Sequence, residues 1–128
     1  MKLVFFGTPE FAVPTLDALH ESDHEIMGVV TSPDTKSGRG LKINSSIIKR
    51  RAEEHGLTVY QPHSVNSKQL YNVLEQLNPD IYVVVAFKIL PDSILSIPKN
   101  GAVNLHASLL PKYRGAAPIH HALMVYYG

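Results

Sequence analysis

Asn104 and His106 stand two residues apart in Gly101-Ala102-Val103-Asn104-Leu105-His106, a run that leaves the turn-forming Pro98-Lys99-Asn100 and alternates as a strand does. Residues i and i+2 of a strand share a face, so the amide and the imidazole project side by side while Leu105 points away. Such a pair can polarise a carbonyl and handle a proton, and the place where a strand ends suits a reaction site. The same spacing is met where a core histidine is satisfied by a backbone carbonyl beside a turn-forming asparagine. Taken alone, Asn-x-His leaves both readings open.

The elements that must position this pair alternate between strand and helix, which predicts an α/β fold: a Rossmann-like, open, mainly parallel sheet with helices on both faces. Lys2 to Phe6 reads as the first strand. Thr8 reads as an N-cap with Pro9 in the first helical position, opening a helix to about His20 with Phe11, Leu16 and Leu19 on its apolar face. Glu25 to Thr31 reads as a strand, Ile47 to His55 as a helix closed by Gly56, and Thr58 to Gln61 as a short strand. Ser67 to Leu77 reads as a helix and Ile81 to Phe87, with its Val83-Val84-Val85 centre, as a buried strand. Ala117 to Tyr127 has the composition of a further helix.

Composition sets bounds. The chain has 128 residues, 45% of them hydrophobic, enough for one core and too few for two. A net charge of +1 gives no global pull toward nucleic acid, so such a contact must come from local clustering. The absence of cysteine excludes disulfides and thiolate metal sites. The apolar run Leu3-Val4-Phe5-Phe6 is broken by Gly7-Thr8-Pro9 too soon for a signal peptide, and no stretch reaches membrane-spanning length, so a cytoplasmic protein without membrane contact is expected.

Other motifs weaken on inspection. Dinucleotide binding asks for Gly-x-Gly-x-x-Gly after the first strand, whereas Gly7-Thr8-Pro9 supplies one glycine and a proline without an N–H. Asp34 stands where a ribose-binding acid can stand, and a Pro33-Asp34 turn explains it as well. His120 and His121 are adjacent, and neighbours on a helix point about 100° apart rather than toward one ion, so no metal is expected.

Lys36, Arg39, Lys42, Lys49, Arg50 and Arg51 are half of the 12 Lys and Arg, with nothing acidic between Thr35 and Ala52. This cluster suits phosphate contacts; it is equally a glycine-bearing surface loop followed by a solvated helix face.

Three separated segments, in order, carry a resemblance. Asn104-Leu105-His106-Ala107-Ser108-Leu109-Leu110-Pro111, with Gly115-Ala116-Ala117-Pro118 beyond it, resembles the signature of the folate-dependent formyltransferases, and the latter run is most like the methionyl-tRNA formyltransferase branch. Phe6-Gly7-Thr8-Pro9-Glu10 and Ser32-Pro33-Asp34 followed by Gly38-Arg39-Gly40 resemble the same branch. The resemblance spans essentially all 128 residues and corresponds to the N-terminal portion of that family's catalytic domain, the C-terminal tRNA-binding domain being absent.

The resemblance implies transfer of a formyl group from 10-formyltetrahydrofolate to the amino group of methionyl-initiator-tRNA, without a metal. It implies Asn104 and His106 as catalytic residues, the amide donating to the oxyanion and the imidazole, a side-chain type whose reference pKa lies near neutrality, handling the proton. It implies Ser108, Leu109, Leu110 and Pro111, with a turn-like backbone, as part of the folate site, and Phe87, Ile89 and Leu90 as the facing wall. There the family often reads aromatic-Gly-x-Ile-Leu-Pro; this chain is one residue shorter, with Lys88 near the glycine's place. Arg39 and Lys42 are implied as tRNA contacts, although Leu41-Lys42 and Ser45-Ser46 replace the family's frequent Lys-Lys and Ser-Pro.

The family's third catalytic residue, a downstream aspartate, has no counterpart, since no carboxylate side chain follows Asp92. Little or no activity of these 128 residues is therefore expected, and the missing downstream strand would leave a sheet edge and apolar surface uncovered; a monomeric state is expected as well. The alternatives are a non-catalytic folate- or tRNA-binding module and a formyltransferase acting on glycinamide ribonucleotide or a sugar nucleotide.

Overall fold

The computed structural model describes the backbone of residues 1–40, 42–110 and 119–127, and the side chains of residues 1–40 and 42–105. A six-stranded sheet in the order β5-β2-β1-β6-β7-β8 organises the chain. Strands β1 (Lys2–Gly7), β2 (Glu25–Val30), β5 (Val59–Tyr60), β6 (Ile81–Val85) and β7 (Ala102–Leu110) run parallel, and β8 (Ile119–Tyr127) pairs antiparallel to β7. Leu3 to Gly7 are buried on both faces, which is why β1 reads as an unbroken apolar run.

Alternation along the strands divides the core in two. Leu3, Phe5, Val29, Val83 and Val85 pack against Leu16 of α1 (Val13–Glu21) and against Ile48 and Ala52 of α2 (Ile47–Glu54). Val4, Phe6, Val30, Tyr82, Val84 and Ala102 pack on the other face against Leu70 and Leu74 of α3 (Lys68–Leu77) and Ile94 of α4 (Asp92–Leu95). Ser46 and Ser67 cap α2 and α3 by accepting the backbone N–H of Lys49 and Leu70 at 3.0 and 3.1 Å. Asn78, left-handed at φ 49°, ends α3.

Three sequence expectations are corrected. The first helix starts at Val13, not at Pro9: Pro9 is extended and leads into a 3-10 turn over Glu10–Ala12. A start at Pro9 would bury Pro14 in the helix interior, where it removes a hydrogen bond and clashes, whereas a start at Val13 leaves it in the first turn, where its missing N–H costs nothing. Phe11 consequently stays 43% exposed and off the core face. The segment after β2, read as a glycine-bearing surface loop, is exposed but contains two short strands, β3 (Thr35–Ser37) and β4 (Lys42–Asn44), paired as an antiparallel hairpin.

The third correction is β8 itself. The segment read as a helix over Ala117 to Tyr127 is a strand from Ile119, paired with β7 from Ala102↔Tyr127 to Leu110↔Ile119. Ile119, Val125, Tyr126 and Tyr127 favour a pleated surface, and the pairing supplies the backbone partners that β7 lacks on that side. β8 covers β7 and itself forms the edge of the sheet on that side.

Candidate functional site

The parallel part of the sheet ends, at β6 and β7, on one rung. Val84 lies opposite Asn104 and Val85 opposite Leu105, the last pair between these strands. β6 stops there because Ala86 turns into the left-handed region at φ 47°, an uncommon conformation for a side chain with a Cβ, and swings Phe87 to Leu90 back over the strand ends. β7 continues to Leu110 paired with β8, so His106 is not at a strand end, and Ser108, Leu109 and Leu110 lie in extended rather than turn-like backbone.

The returning segment encloses a cavity of about 310 Å³ lined by Val84, Phe87, Lys88, Ile89, Leu90, Leu95 and Asn104. It stands at the carboxyl end of the central strands, where open α/β sheets hold their ligands. Phe87 is fixed from below by the buried Phe6 ring, edge to face at 5.6 Å between centroids, and Phe6 in turn meets Tyr82 at 4.9 Å. Leu90 is buried, and Ile89, 94% exposed, forms the rim. Asn104 is half-buried and is the one amide side chain in the cavity's lining among the described residues. The arrangement is a mainly apolar slot with a hydrogen-bonding amide and an exposed cation, Lys88, in its lining.

Of the residues singled out in the sequence, Phe87, Ile89, Leu90 and Asn104 therefore meet around one cavity. His106, Ser108, Leu109 and Leu110 follow on β7, but their side chains lie outside the described residues, as does Pro111 entirely. Lys88 lies in the run read from the sequence as the facing wall, whereas Leu95 was not assigned a place at the cavity by sequence. Leu95 comes from the short helix α4, whose only local signals are Pro91 at its N-cap and Asp92 in its first turn. A larger cavity, about 440 Å³, lies between the end of β5 and the start of α3, lined among others by Tyr60, His63 and Ser67, and contains none of the singled-out residues.

The basic cluster divides in two. Arg39 lies in the turn of the β3–β4 hairpin and Lys42 starts its second strand; both are exposed, as are Lys36 and Arg50. Among the described residues, no carboxylate lies within 4 Å of these four. Lys49 and Arg51 are engaged inside the fold. Lys49 Nζ donates to Asp34 at 2.8 Å, and Arg51 lies 3.8 Å from Asp17 and 3.9 Å from Glu54. Gln61 Nε2 donates to the other oxygen of Asp34 at 2.7 Å. The hydrogen bonds from Lys49 and then Gln61 hold the Asp34 carboxyl at about 2, below its ordinary 3.8.

Residues 1–125 match the formyl transferase family. The chain belongs to that family. This formyl transferase chain is 52% identical over 125 residues to the methionyl-tRNA formyltransferase of Alkaliphilus oremlandii, covering 97% of itself and 40% of the relative. It is 52% identical over 126 residues to the methionyl-tRNA formyltransferase of Sulfurihydrogenibium, with the same coverage. It thus spans about two fifths of the length of these relatives. The fold is shared with the phosphoribosylglycinamide formyltransferase of Anaplasma phagocytophilum, at TM-score 0.61 and 18% identity over 90% of this chain and 53% of that one. The Streptococcus pneumoniae phosphoribosylglycinamide formyltransferase gives TM-score 0.59 and 15% identity, over 98% and 82%.

Proposed function

We propose that residues 1–128 are the N-terminal portion of the catalytic domain of a monomeric, cytoplasmic methionyl-tRNA formyltransferase, which uses 10-formyltetrahydrofolate to formylate the amino group of methionyl-initiator-tRNA. A separate C-terminal domain helps to hold the tRNA. The observation that carries this reading is the cavity at the carboxyl end of β6 and β7, which gathers Asn104, Phe87 and Leu90 in a chain half identical to proteins of that name.

The donor supplies an activated formyl carbon, and the rest falls to the chain. The apolar walls formed by Phe87, Leu90 and Leu95, with Ile89 at the rim, fit a flat heteroaromatic head, and Ser108, Leu109, Leu110 and Pro111 complete its site. The Asn104 amide N–H donates to the formyl oxygen as negative charge develops on it during attack by the amine. His106 takes the proton that the amine must lose, and the folate nitrogen gains one as its bond to the formyl carbon breaks. No metal takes part. Arg39 and Lys42, on the exposed hairpin, meet the phosphates of the acceptor.

The four cations on and beside the hairpin, Lys36, Arg39, Lys42 and Arg50, which have no carboxylate within 4 Å among the described residues, favour an RNA acceptor over glycinamide ribonucleotide or a sugar nucleotide. The test joins residues 1–128 to the downstream part of the Alkaliphilus relative and offers all three acceptors with the same donor. Transfer to methionyl-initiator-tRNA should exceed the others by at least about a hundredfold in kcat/KM. Preference for a small acceptor would favour the other formyltransferases, and donor or tRNA binding without transfer to any acceptor would favour a non-catalytic module.

A further inference from the structure

Among its described residues, the β3–β4 hairpin buries no side chain. All six of its strand residues are exposed, Ile43 to 66%, and a side-chain bond from Asn44 to Ser37 joins its strands without reaching the sheet. Among the described residues, no apolar side chain of its strands is buried to fix the direction in which it carries Lys36, Arg39 and Lys42. What fixes it lies at the base, where one chain of hydrogen bonds crosses three elements. The buried Thr31 hydroxyl meets that of Ser46, the α2 cap, at 2.8 Å; Ser46 accepts the Lys49 N–H; Lys49 Nζ reaches Asp34 at 2.8 Å. Asp34 closes the chain onto Gln61, which lies just after β5 and also donates to the Ser32 carbonyl at 3.1 Å.

The geometry points to Asp34 as a positioning residue: by binding Lys49 and Gln61 together, it clamps the root of the hairpin to α2 and β5 and presents the basic arm to a phosphate backbone in one orientation. This deepens the RNA reading above and rests on it. An arm held in its bound direction spends less ordering entropy on binding than a swinging one. Because Asp34 and Lys49 remain in contact with water, their pair adds little to global stability, and losing it loosens the arm without unfolding the domain.

Charge and positioning predict opposite outcomes for Asp34→Ala. Removing a carboxylate beside a basic cluster makes the chain more positive, so simple electrostatics predicts tighter tRNA binding, whereas loss of the clamp predicts weaker binding. The experiment measures initiator-tRNA affinity across a salt series and amide hydrogen exchange, for the wild type, Asp34→Ala, the charge-neutral Gln61→Ala and the conservative Lys49→Arg. Asp34→Ala and Gln61→Ala should weaken binding by about tenfold with the salt slope unchanged, because the phosphate contacts persist once made. Amides from Thr35 to Asn44 should exchange faster while those of Val4 and Val84 do not change, and Lys49→Arg should behave as wild type. Equal or tighter tRNA binding by Asp34→Ala overturns the positioning role, and unchanged hairpin exchange overturns the clamp. A wild-type chain that binds no tRNA even at low salt overturns the RNA reading beneath both.

Discussion

The ring of Phe87 stands at 61° to that of Phe6, with centroids 5.6 Å apart, so the wall of the candidate donor site rests on a strand buried from Leu3 to Gly7. An edge-to-face pair of this kind is worth about 0.5–1.5 kcal/mol beyond its buried area. Phe87→Ala should therefore weaken binding of a folate analogue by about tenfold, and Phe87→Leu, which keeps apolar bulk without the ring edge, should fall between. A fluorescence titration measures both, and an unchanged dissociation constant for Phe87→Ala would remove this wall from the site.

Gly7 ends β1 where the chain has no room for a side chain. A Cβ there would lie 2.9 Å from Phe5 Cε1, 3.2 Å from the Val85 carbonyl oxygen and 3.3 Å from Ala12 Cβ. Gly7→Ala should cost about 1–3 kcal/mol by overpacking, because the ring is locked in the core and the oxygen belongs to the neighbouring strand. The denaturation midpoint is the measure, and a midpoint equal to that of the wild type would mean that the strand ends yield more readily than this packing allows.

Tyr82 is fully buried, and its hydroxyl finds no hydrogen-bond partner among the described residues. Tyr82→Phe should raise stability by about 1 kcal/mol, since it removes a desolvated hydroxyl and keeps the ring against Phe6. Burial raises the phenol's pKa above its ordinary 10.0. The folded state thus holds the proton more tightly than the unfolded chain, and stability falls as pH rises from about 10 upward. Alkaline unfolding should be shallower in Tyr82→Phe, and identical alkaline curves would contradict it.

For Asp34 the sign is reversed. Its carboxyl is held at about 2 by the hydrogen bonds from Lys49 and Gln61, so the clamp is complete above the ordinary 3.8 and is lost as pH falls through about 2. Exchange-corrected protection of the hairpin amides should drop over that window in the wild type and stay low and flat in Asp34→Ala.

The legible parts of the sequence were those written in runs of one physical character. Leu3 to Phe6 and Val83 to Val85 announce strands buried on both faces, and the helices that cover them show their apolar spacing. The start of α1 was misread because Thr8-Pro9 satisfies every local rule for a helix N-terminus while the deciding residue, Pro14, stands farther on. Residues 119–127 were misread because Ala122, Leu123 and Met124 suit a helix as well as a strand, and only the unpaired side of β7 settles the choice. The Asp34 clamp left no local signal, since its partners lie 15 and 27 residues away and all are polar. The meeting of Phe87, Leu90 and Asn104 was suggested by family resemblance rather than by spacing, because a left-handed turn at Ala86 makes it.

The most direct test of the central claim is kcat for formyl transfer to methionyl-initiator-tRNA in the joined protein, with Asn104 intact and with Asn104→Ala. If the cavity at the ends of β6 and β7 is the reaction site, the variant should fold normally and lose at least about two orders of magnitude in kcat, as expected for removal of one oxyanion donor. A folded Asn104→Ala protein with kcat near that of the intact one would place the chemistry elsewhere.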